Sequence, residues 1–387
     1  MENTEKVKDI KELRREIDEI DGQLVELFIR RMEVSGEVAR YKKATGAPIL
    51  DPARERERLS EVSTLAGEEY EAYTRVLYAL IMELSKNLQQ KEIYRSSRLR
   101  DAVRESVLST TPLFPEKATV ACQGVEGAYS GKACERLFTL PTISYFKDFE
   151  GVFKAIEEGK CRYGVLPIEN STAGSVNAVY DLMSRYNFRI VRSLRMKVDH
   201  CLLAQKGATL SDIKEICSHE QAINQCAGFL RSLGEVKITV CPNTAVAARM
   251  VAQSGRKDIA ALSSSSCAAL YGLSMIASSV QDQGNNHTRF ICISAKEEIY
   301  PGADRTSVMM VISHRPGALY RVLSRFYALG INLVKLESRP IPDRDFEFMF
   351  YFDLQVSIYS EKFDELLNEL EHMSDEVRYL GSYQEVF

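Results

Sequence analysis

From Ile10 to Tyr41 apolar side chains recur at three- and four-residue spacing: Ile10, Leu13, Ile17, Ile20, Leu24, Leu27, Val34, Val38 and Tyr41. That is the stripe of an amphipathic helix. It predicts a helix of about 35 residues, or about 50 Å at a rise of 1.5 Å per residue. Such a helix is long for a lone three-helix domain and points to a seam shared with another chain. Asp51 and Pro52 read as an N-cap with proline in the first turn, opening a second helix through about Leu65. A third begins near Glu68 and carries Tyr73, Leu77, Leu80, Ile81 and Leu84. Residues 5–95 are thus expected to form an all-α domain.

The period then changes. Residues 96–117 are basic, then punctuated by Ser, Thr and Pro, and read as a linker. From Ala118 short β-rich runs (ATVACQ, TISYF, YGVLPIE, FRIVRSL, EVKITVC, DIAALS, RFICIS) alternate with helical segments, which predicts an α/β domain over 118–297 with a largely parallel sheet. After YPGADR, residues 305–387 run strand, helix, strand, strand, helix, strand, the order of a ferredoxin-like α+β sandwich. Three domains suit a chain of 387 residues.

Lys plus Arg total 50 against 54 Asp plus Glu, so the net charge of −4 supplies no general attraction to nucleic acid. The N-terminal segment is charged, and no apolar run approaches the ~18 residues of a membrane span. Neither a nucleic-acid nor a membrane partner is expected. The nine cysteines are odd in number, lack C-x-x-C spacing and lie in apolar surroundings, so they read as reduced core thiols in a cytoplasmic protein, with no metal site and no cofactor.

Arg31 occupies a position in the apolar series between Leu27 and Val34, and Arg14 and Lys42 lie on the stripe beside it. A buried cation needs an anion. Carboxylates of the chain, such as Asp18 and Glu55, are one source; a bound ligand is another. Arg14 and Lys42 would be about 42 Å apart on a straight helix, whereas Arg31 and Lys42 would be about 16 Å apart. Arg14 therefore reaches the same ligand only from an antiparallel partner helix, that is, in a dimer. Ser85 and Gln89, spaced i, i+4, offer polar groups on one face of the third helix.

The segments LRREIDEIDGQLVELFIRRMEVSGEVARYKK, PILDPARERERL and LIMELSKNLQQ together resemble the all-helical chorismate mutase family. The resemblance implies a site lined by Arg14 of the partner subunit, Arg31, Lys42, Asp51, Arg54, Glu55, Ser85 and Gln89. Conversion of chorismate to prephenate is pericyclic and needs no nucleophile, metal or proton transfer. Holding the flexible dicarboxylate in its reactive form lowers the entropic part of the barrier, and donors at the ether oxygen stabilise developing charge. In that scheme the arginines clamp carboxylates, Lys42 and Gln89 serve the ether oxygen, and Glu55 takes the ring hydroxyl.

In the central region four polar motifs fall at strand ends: GVEGAYSG (124–131), LPIENSTAGSV (166–176), SHEQAINQC (218–226) and NNHTRF (285–290). Taken singly, each reads as capping or turn chemistry; grouped at strand ends, they read as one crevice. In this order they resemble the prephenate dehydratase family over residues 118–295, with Val125, Ala128 and Glu220 departing from its usual Pro, Thr and Pro. The resemblance implies two α/β lobes around a cleft, like periplasmic binding proteins. It also implies Thr288 as proton or hydrogen-bond donor to the leaving hydroxyl. Asn170, Ser218 and Gln225 orient the ring or leaving group, and Glu169, Ser171 and Thr172 add polar contacts to substrate. Arg289 is either a carboxylate partner or a structural salt bridge. His219 with Cys226 suggests a nucleophile and its base, though the reaction needs no covalent step.

HRPGALYRVL and KLESRP resemble the ACT regulatory domain attached to prephenate dehydratases. Gly317, Ala318 and Leu319 would present backbone N–H groups to an amino-acid carboxylate, with Glu337, Ser338, Arg339 and Pro340 lining the same interface between paired domains. A purely structural sandwich is the other reading.

The expectation is a bifunctional enzyme, at least dimeric, that takes chorismate through prephenate to phenylpyruvate and is inhibited by phenylalanine. A catalytically idle amino-acid-binding regulator is the rival from another class. Prephenate dehydrogenase is disfavoured because no G-x-G-x-x-G follows a strand. Arogenate as the dehydratase substrate stays open.

Overall fold

The computed structural model describes residues 9–93, 97–312, 314–341, 347–373 and 376–387. The outer ends of the expected helical domain (5–8 and 94–95) and residue 96 of the linker lie outside these residues. The chain forms two compact units. One comprises Met1–Asp101, Gly317–Arg325 and Asp364–Met373; the other comprises Ala102–Pro316, Phe326–Phe363 and Ser374–Phe387.

In the first unit, α1 (Ile10–Thr45) packs against α2 (Pro52–Ile93). Gly46 ends α1 in the left-handed region (φ 69°), its N–H returned to the Lys42 carbonyl, as an αL C-cap requires. Asp51 caps α2 through Oδ1, which accepts from the Arg54 N–H at 3.0 Å. The second and third expected helices run on as α2, broken only at Gly67 (φ 70°, ψ 168°). Ser35 and Ala39 of α1, and Ser85 and Gln89 of α2, are buried. By contrast Ile10, Ile17, Ile20, Leu24 and Leu27 remain about half exposed or more (49–62%). A stripe this apolar is left without a cover inside the unit.

The segment expected to be a linker is not bare chain: Arg98–Ser109 is a helix with Val103 buried. Its many charges masked the apolar stripe.

The second unit contains three sheets. Its strands are β1 (Lys117–Gln123), β2 (Leu140–Phe146), β3 (Tyr163–Asn170), β4 (Gly174–Ser175), β5 (Arg189–Lys197), β6 (Cys201–Ala204), β7 (Glu215–Ser218), β8 (Lys237–Val240), β9 (Ile259–Ser263), β10 (Ser274–Ala277), β11 (His287–Ser294), β12 (Arg305–Val311), β13 (Asn332–Pro340), β14 (Phe348–Gln355), β15 (Glu376–Tyr383) and β16 (Glu385–Val386). The first sheet runs β16-β5-β11-β3-β1-β2, with β4 beside β3; the second runs β10-β6-β9-β7-β8. They make two lobes, between which the chain crosses twice, at Lys197 to Cys201 and again between β10 and β11.

Both sheets are mixed rather than largely parallel. β11 is antiparallel to β3 and β5, and β6 is antiparallel to β9 and β10. Runs of buried residues identify strands, but pairing direction is set by chain reversal and not by local period. Each lobe has its own apolar core.

The third sheet is antiparallel in the order β13-β14-β12-β15, which is the ferredoxin-like strand order. It shares a core with the first lobe: Met309, Tyr351, Leu380 and Tyr383 pack with Leu166, Ile168, Tyr180 and Ile291. A Cβ at Gly381 would come within 2.2 Å of the Ile190 carbonyl, so glycine permits this close approach of β15 to β5. Beyond it, β16 pairs in parallel with β5, Glu385 opposite Ser193.

Candidate active sites

On α1, Arg31 and Lys42 look toward α2 and its approach loop. Arg31 donates to Ser85 Oγ at 2.5 Å, and Lys42 donates to the Ile49 carbonyl at 2.7 Å. Among the described residues neither cation has a carboxylate within ion-pair distance. Burial holds the Arg31 guanidinium below its ordinary pKa. One turn along α2 from Ser85, Gln89 is buried with Oε1 unpartnered. Glu55, the expected hydroxyl partner, is paired at 3.0 Å with Lys86, a residue not singled out from sequence. Arg54 is exposed and paired with Glu57, so Asp51 and Arg54 serve here as cap and surface pair. Arg14 is exposed on α1, about 25 Å from Arg31 along the axis by rise, and does not join this cluster within one chain.

The second cluster lies where β3, β11 and the helix Glu220–Gln225 meet. Thr288 of β11 is directly opposite Asn170 of β3 in the antiparallel register, so both side chains rise on one face. They help line a cavity of about 540 Å³ together with Tyr129, His200, His219 and Gln225.

The hydrogen-bond direction here can be derived. Asn170 Oδ1 accepts from the backbone N–H groups of Thr172 (3.1 Å) and Ala173 (2.9 Å), which can only donate. The Asn170 amide NH₂ therefore faces the other way, donating to Asn286 Oδ1 at 2.8 Å and Thr288 Oγ1 at 2.9 Å. Since Thr288 accepts from Asn170, its own proton is free to be directed into the cavity. Gln225 Nε2 donates to Thr172 Oγ1 at 2.7 Å, which in turn donates to Asn170 Oδ1 at 2.7 Å.

Other expected members fall elsewhere. Successive strand residues face opposite sides of a sheet, so Glu169 and Arg289, neighbours of Asn170 and Thr288, are turned away from the cavity. Glu169 pairs with Lys335 at 3.0 Å. Arg289 is 5% exposed and held by Asp353 and by Glu385 at 2.8 Å, which makes it a structural salt bridge. Ser171 accepts from the His287 N–H and donates to the Asn285 carbonyl, which ties the loop. Ser218 is fully buried and its hydroxyl donates to the Leu262 carbonyl at 2.8 Å, so it does not line the cavity. Cys226 is also buried, and burial pushes its thiol up to about 12, which leaves no thiolate for nucleophilic chemistry.

Glu169, Ser171 and Arg289 instead border a depression of about 1050 Å³ on the opposite face. Two of its basic side chains, Arg195 and Lys197, are paired with Glu385 and Asp199.

Gly317 has φ 80°, and its carbonyl accepts from Arg321 at the start of the helix Ala318–Ala328, which carries Ala318 and Leu319. On β13, alternation divides the expected sensor residues: Glu337 and Arg339 are half-buried, and Ser338 and Pro340 are exposed. Glu337 accepts from Ser175 at 2.5 Å, and Arg339 pairs with Asp181 at 2.7 Å.

Residues 13–90 match chorismate mutase type II, and residues 120–298 match prephenate dehydratase. The bifunctional chorismate mutase/prephenate dehydratase of Escherichia coli (strain K12) is 32% identical over 381 residues, covering 96% of this chain and 95% of that protein. The chloroplastic arogenate dehydratase/prephenate dehydratase 2 of Arabidopsis thaliana is 35% identical over 314 residues, 78% of this chain and 81% of its own. The solved structure of prephenate dehydratase from Arthrobacter aurescens in complex with L-Phe has a TM-score of 0.63 and 27% identity, covering 69% of this chain and 89% of that chain.

Proposed function

Since the chain belongs to the bifunctional chorismate mutase/prephenate dehydratases, we infer that its two polar clusters handle one small dicarboxylate in succession. It is an enzyme of phenylalanine biosynthesis, converting chorismate to prephenate and prephenate to phenylpyruvate.

For the mutase step, Arg31 and Arg14 of the partner subunit clamp the carboxylates while Lys42 and Gln89 stabilise the ether oxygen. Ser85 orients Arg31, and Glu55 meets the ring hydroxyl once substrate competes with Lys86. What supports this reading is that neither Arg31 nor Lys42 has an acid partner among the described residues. The exposed apolar stripe of α1 supports a dimer in which the partner's helix covers it and brings its Arg14 alongside.

For the dehydratase step, the ring carboxylate leaves as carbon dioxide. Its bonding electrons enter the ring, and the hydroxyl on the far side takes a proton from solvent and departs as water. A threonine hydroxyl is a poor free acid, so Thr288 serves as a hydrogen-bond donor to the departing oxygen. The hydrogen bond from the Asn170 amide to Thr288 Oγ1, which makes the hydroxyl an acceptor there and leaves its own proton for the cavity, is the observation that supports this assignment. Gln225 and Thr172 hold Asn170 in that orientation. Two lobes joined by two crossings suit a cleft of the kind periplasmic binding proteins have.

The third sheet with its helices acts as an ACT domain, with phenylalanine bound by paired copies near Gly317–Leu319 and Glu337–Pro340. The contacts of Glu337 to Ser175 and Lys335 to Glu169 run from β13 to β4 and to the residue before Asn170 in β3, and they offer a route for inhibition. No described helix is long and apolar enough to cross a membrane, and a cytoplasmic setting suits these substrates.

Purified chain supplied with chorismate should form phenylpyruvate, and added phenylalanine should suppress the second step. An amino-acid-binding regulator without catalysis would leave chorismate unchanged.

A further inference from the structure

Two buried side chains that the chemistry above does not use converge on Gln225. His200 and Asn286 are 3% and 1% exposed. His200 lies in the first crossing between the lobes, between β5 and β6; Asn286 lies in the second, just before β11. The two crossings are themselves hydrogen-bonded, Val198 N–H donating to the Asn286 carbonyl at 2.8 Å. Both side chains meet one atom: Gln225 Oε1 is 2.9 Å from His200 Nε2 and 3.0 Å from Asn286 Nδ2. Gln225 belongs to the second lobe, and its other end reaches Thr172 beside Asn170 in the first.

The polarity of this chain of amides is fixed from its far end. Asn170 Oδ1 is committed to backbone donors, so Thr172 Oγ1 donates to it and accepts from Gln225. Gln225 must then present its oxygen to the crossings, and His200 must carry its proton on Nε2. The other ring nitrogen, Nδ1, is buried with no partner. A desolvated, unmatched acceptor is an unfavourable thing to retain in a merely space-filling residue, and its burial also keeps the imidazole neutral.

We propose that His200 is a positioning residue of the dehydratase: its Nε2–H, with Asn286, locks the Gln225 amide so that the hydrogen-bond chain across the lobe crossings points the Thr288 proton at the substrate. Without the lock, Gln225 can turn over and offer its oxygen to Thr172. Thr172 then donates to Gln225, and Asn170 Oδ1 loses one of its three donors, so that only the backbone N–H groups of Thr172 and Ala173 hold the amide. This inference rests on the dehydratase reading of the Thr288 cavity.

The test uses the full-length chain, with mutase turnover on the same preparation as a measure of folding. His200→Phe keeps a ring against Tyr129 and removes the donor; His200→Gln returns an N–H near the position of Nε2. His200→Phe should lower kcat for prephenate about tenfold, the effect of one hydrogen bond, with KM changed less than about twofold, and His200→Gln should recover most of that loss. Nitrogen-15 spectra of the wild-type histidines should contain a neutral, Nε2-protonated ring whose signal is missing in His200→Gln. A wild-type kcat in folded His200→Phe, equal impairment of His200→Gln, or a His200 ring protonated on Nδ1 at neutral pH would each overturn the proposal. A wild-type chain that leaves prephenate untouched sinks the underlying dehydratase reading instead, and the tautomer measurement is independent of that result.

Discussion

Replacing Asn170 by Asp changes one atom and should nearly silence the dehydratase. The oxygen that accepts from Thr172 N–H, Thr172 Oγ1 and Ala173 N–H is retained. The amide nitrogen becomes an oxygen 2.8 Å from Asn286 Oδ1 and 2.9 Å from Thr288 Oγ1. Against Asn286 two acceptors now face each other. Against Thr288 the direction reverses: the hydroxyl donates to the carboxylate and its proton leaves the cavity. Losing one hydrogen-bond donor aimed at developing negative charge costs about 10²–10³ in kcat, so kcat should fall at least about 100-fold, or about 2.7 kcal/mol in the barrier. The hydrogen bond to Asn286 that is lost also costs roughly 1–3 kcal/mol of stability. Phenylpyruvate formation from prephenate is the assay, with chorismate turnover by the same sample as control. A kcat within threefold of wild type in a folded Asn170→Asp protein would refute the assignment of Thr288 as donor.

Three further outcomes are expected. Arg31→Ala should reduce mutase kcat/KM about 100-fold, from the loss of charge-assisted bonds to a carboxylate, and leave prephenate turnover intact; equal loss of both activities would count against separate sites. Arg289→Met leaves Asp353, 0% exposed at its side chain, without its cation, while Glu385 keeps Arg195, and should lower stability by about 3–5 kcal/mol in urea unfolding of the full chain; a change below about 1 kcal/mol would mean that the Ser307 and Tyr383 hydroxyls suffice for Asp353. Gly317→Val puts a β-branched residue at φ 80°, a strain of about 1–3 kcal/mol, and should shift the phenylalanine concentration for half-inhibition at least tenfold; an unmoved inhibition curve relocates the sensor.

The long first helix was legible because its apolar period is local, and so was the break at Gly67. The helix Arg98–Ser109 was hidden because charge and Ser/Thr content resemble linker composition, while its one fully buried apolar residue, Val103, gives no period. The strands β6, β7 and β10 have four residues each, too few for alternation to emerge. At the dehydratase site, Asn170, Thr288 and Gln225 were visible as polar groups at element ends. Glu169 was misplaced, and Arg289 was left open between substrate partner and salt bridge, for a geometric reason: adjacency in a strand means opposite faces, and a motif read as a block conceals that. His200 carried no local signal, and Asn286 was passed over inside NNHTRF, because their role comes from two crossings 86 residues apart in number meeting at one amide oxygen. In the helical domain, Lys86 went unnoticed for a similar reason: its partner Glu55 lies on another stretch of helix.

The short strand Glu385–Val386 beside Arg189–Lys197 has a consequence for anyone shortening the gene. Ending the chain after Ser294 would strip the catalytic sheet of its outermost neighbour and leave Arg189–Lys197 as an open edge, a ready template for intermolecular pairing. It would also remove both carboxylates that pair with Arg289, Asp353 and Glu385. A trimmed version intended to escape phenylalanine control should therefore precipitate or misfold rather than run freely, and release from inhibition is better sought by point substitution. During synthesis, too, that sheet stays unfinished until the ribosome has passed Val386.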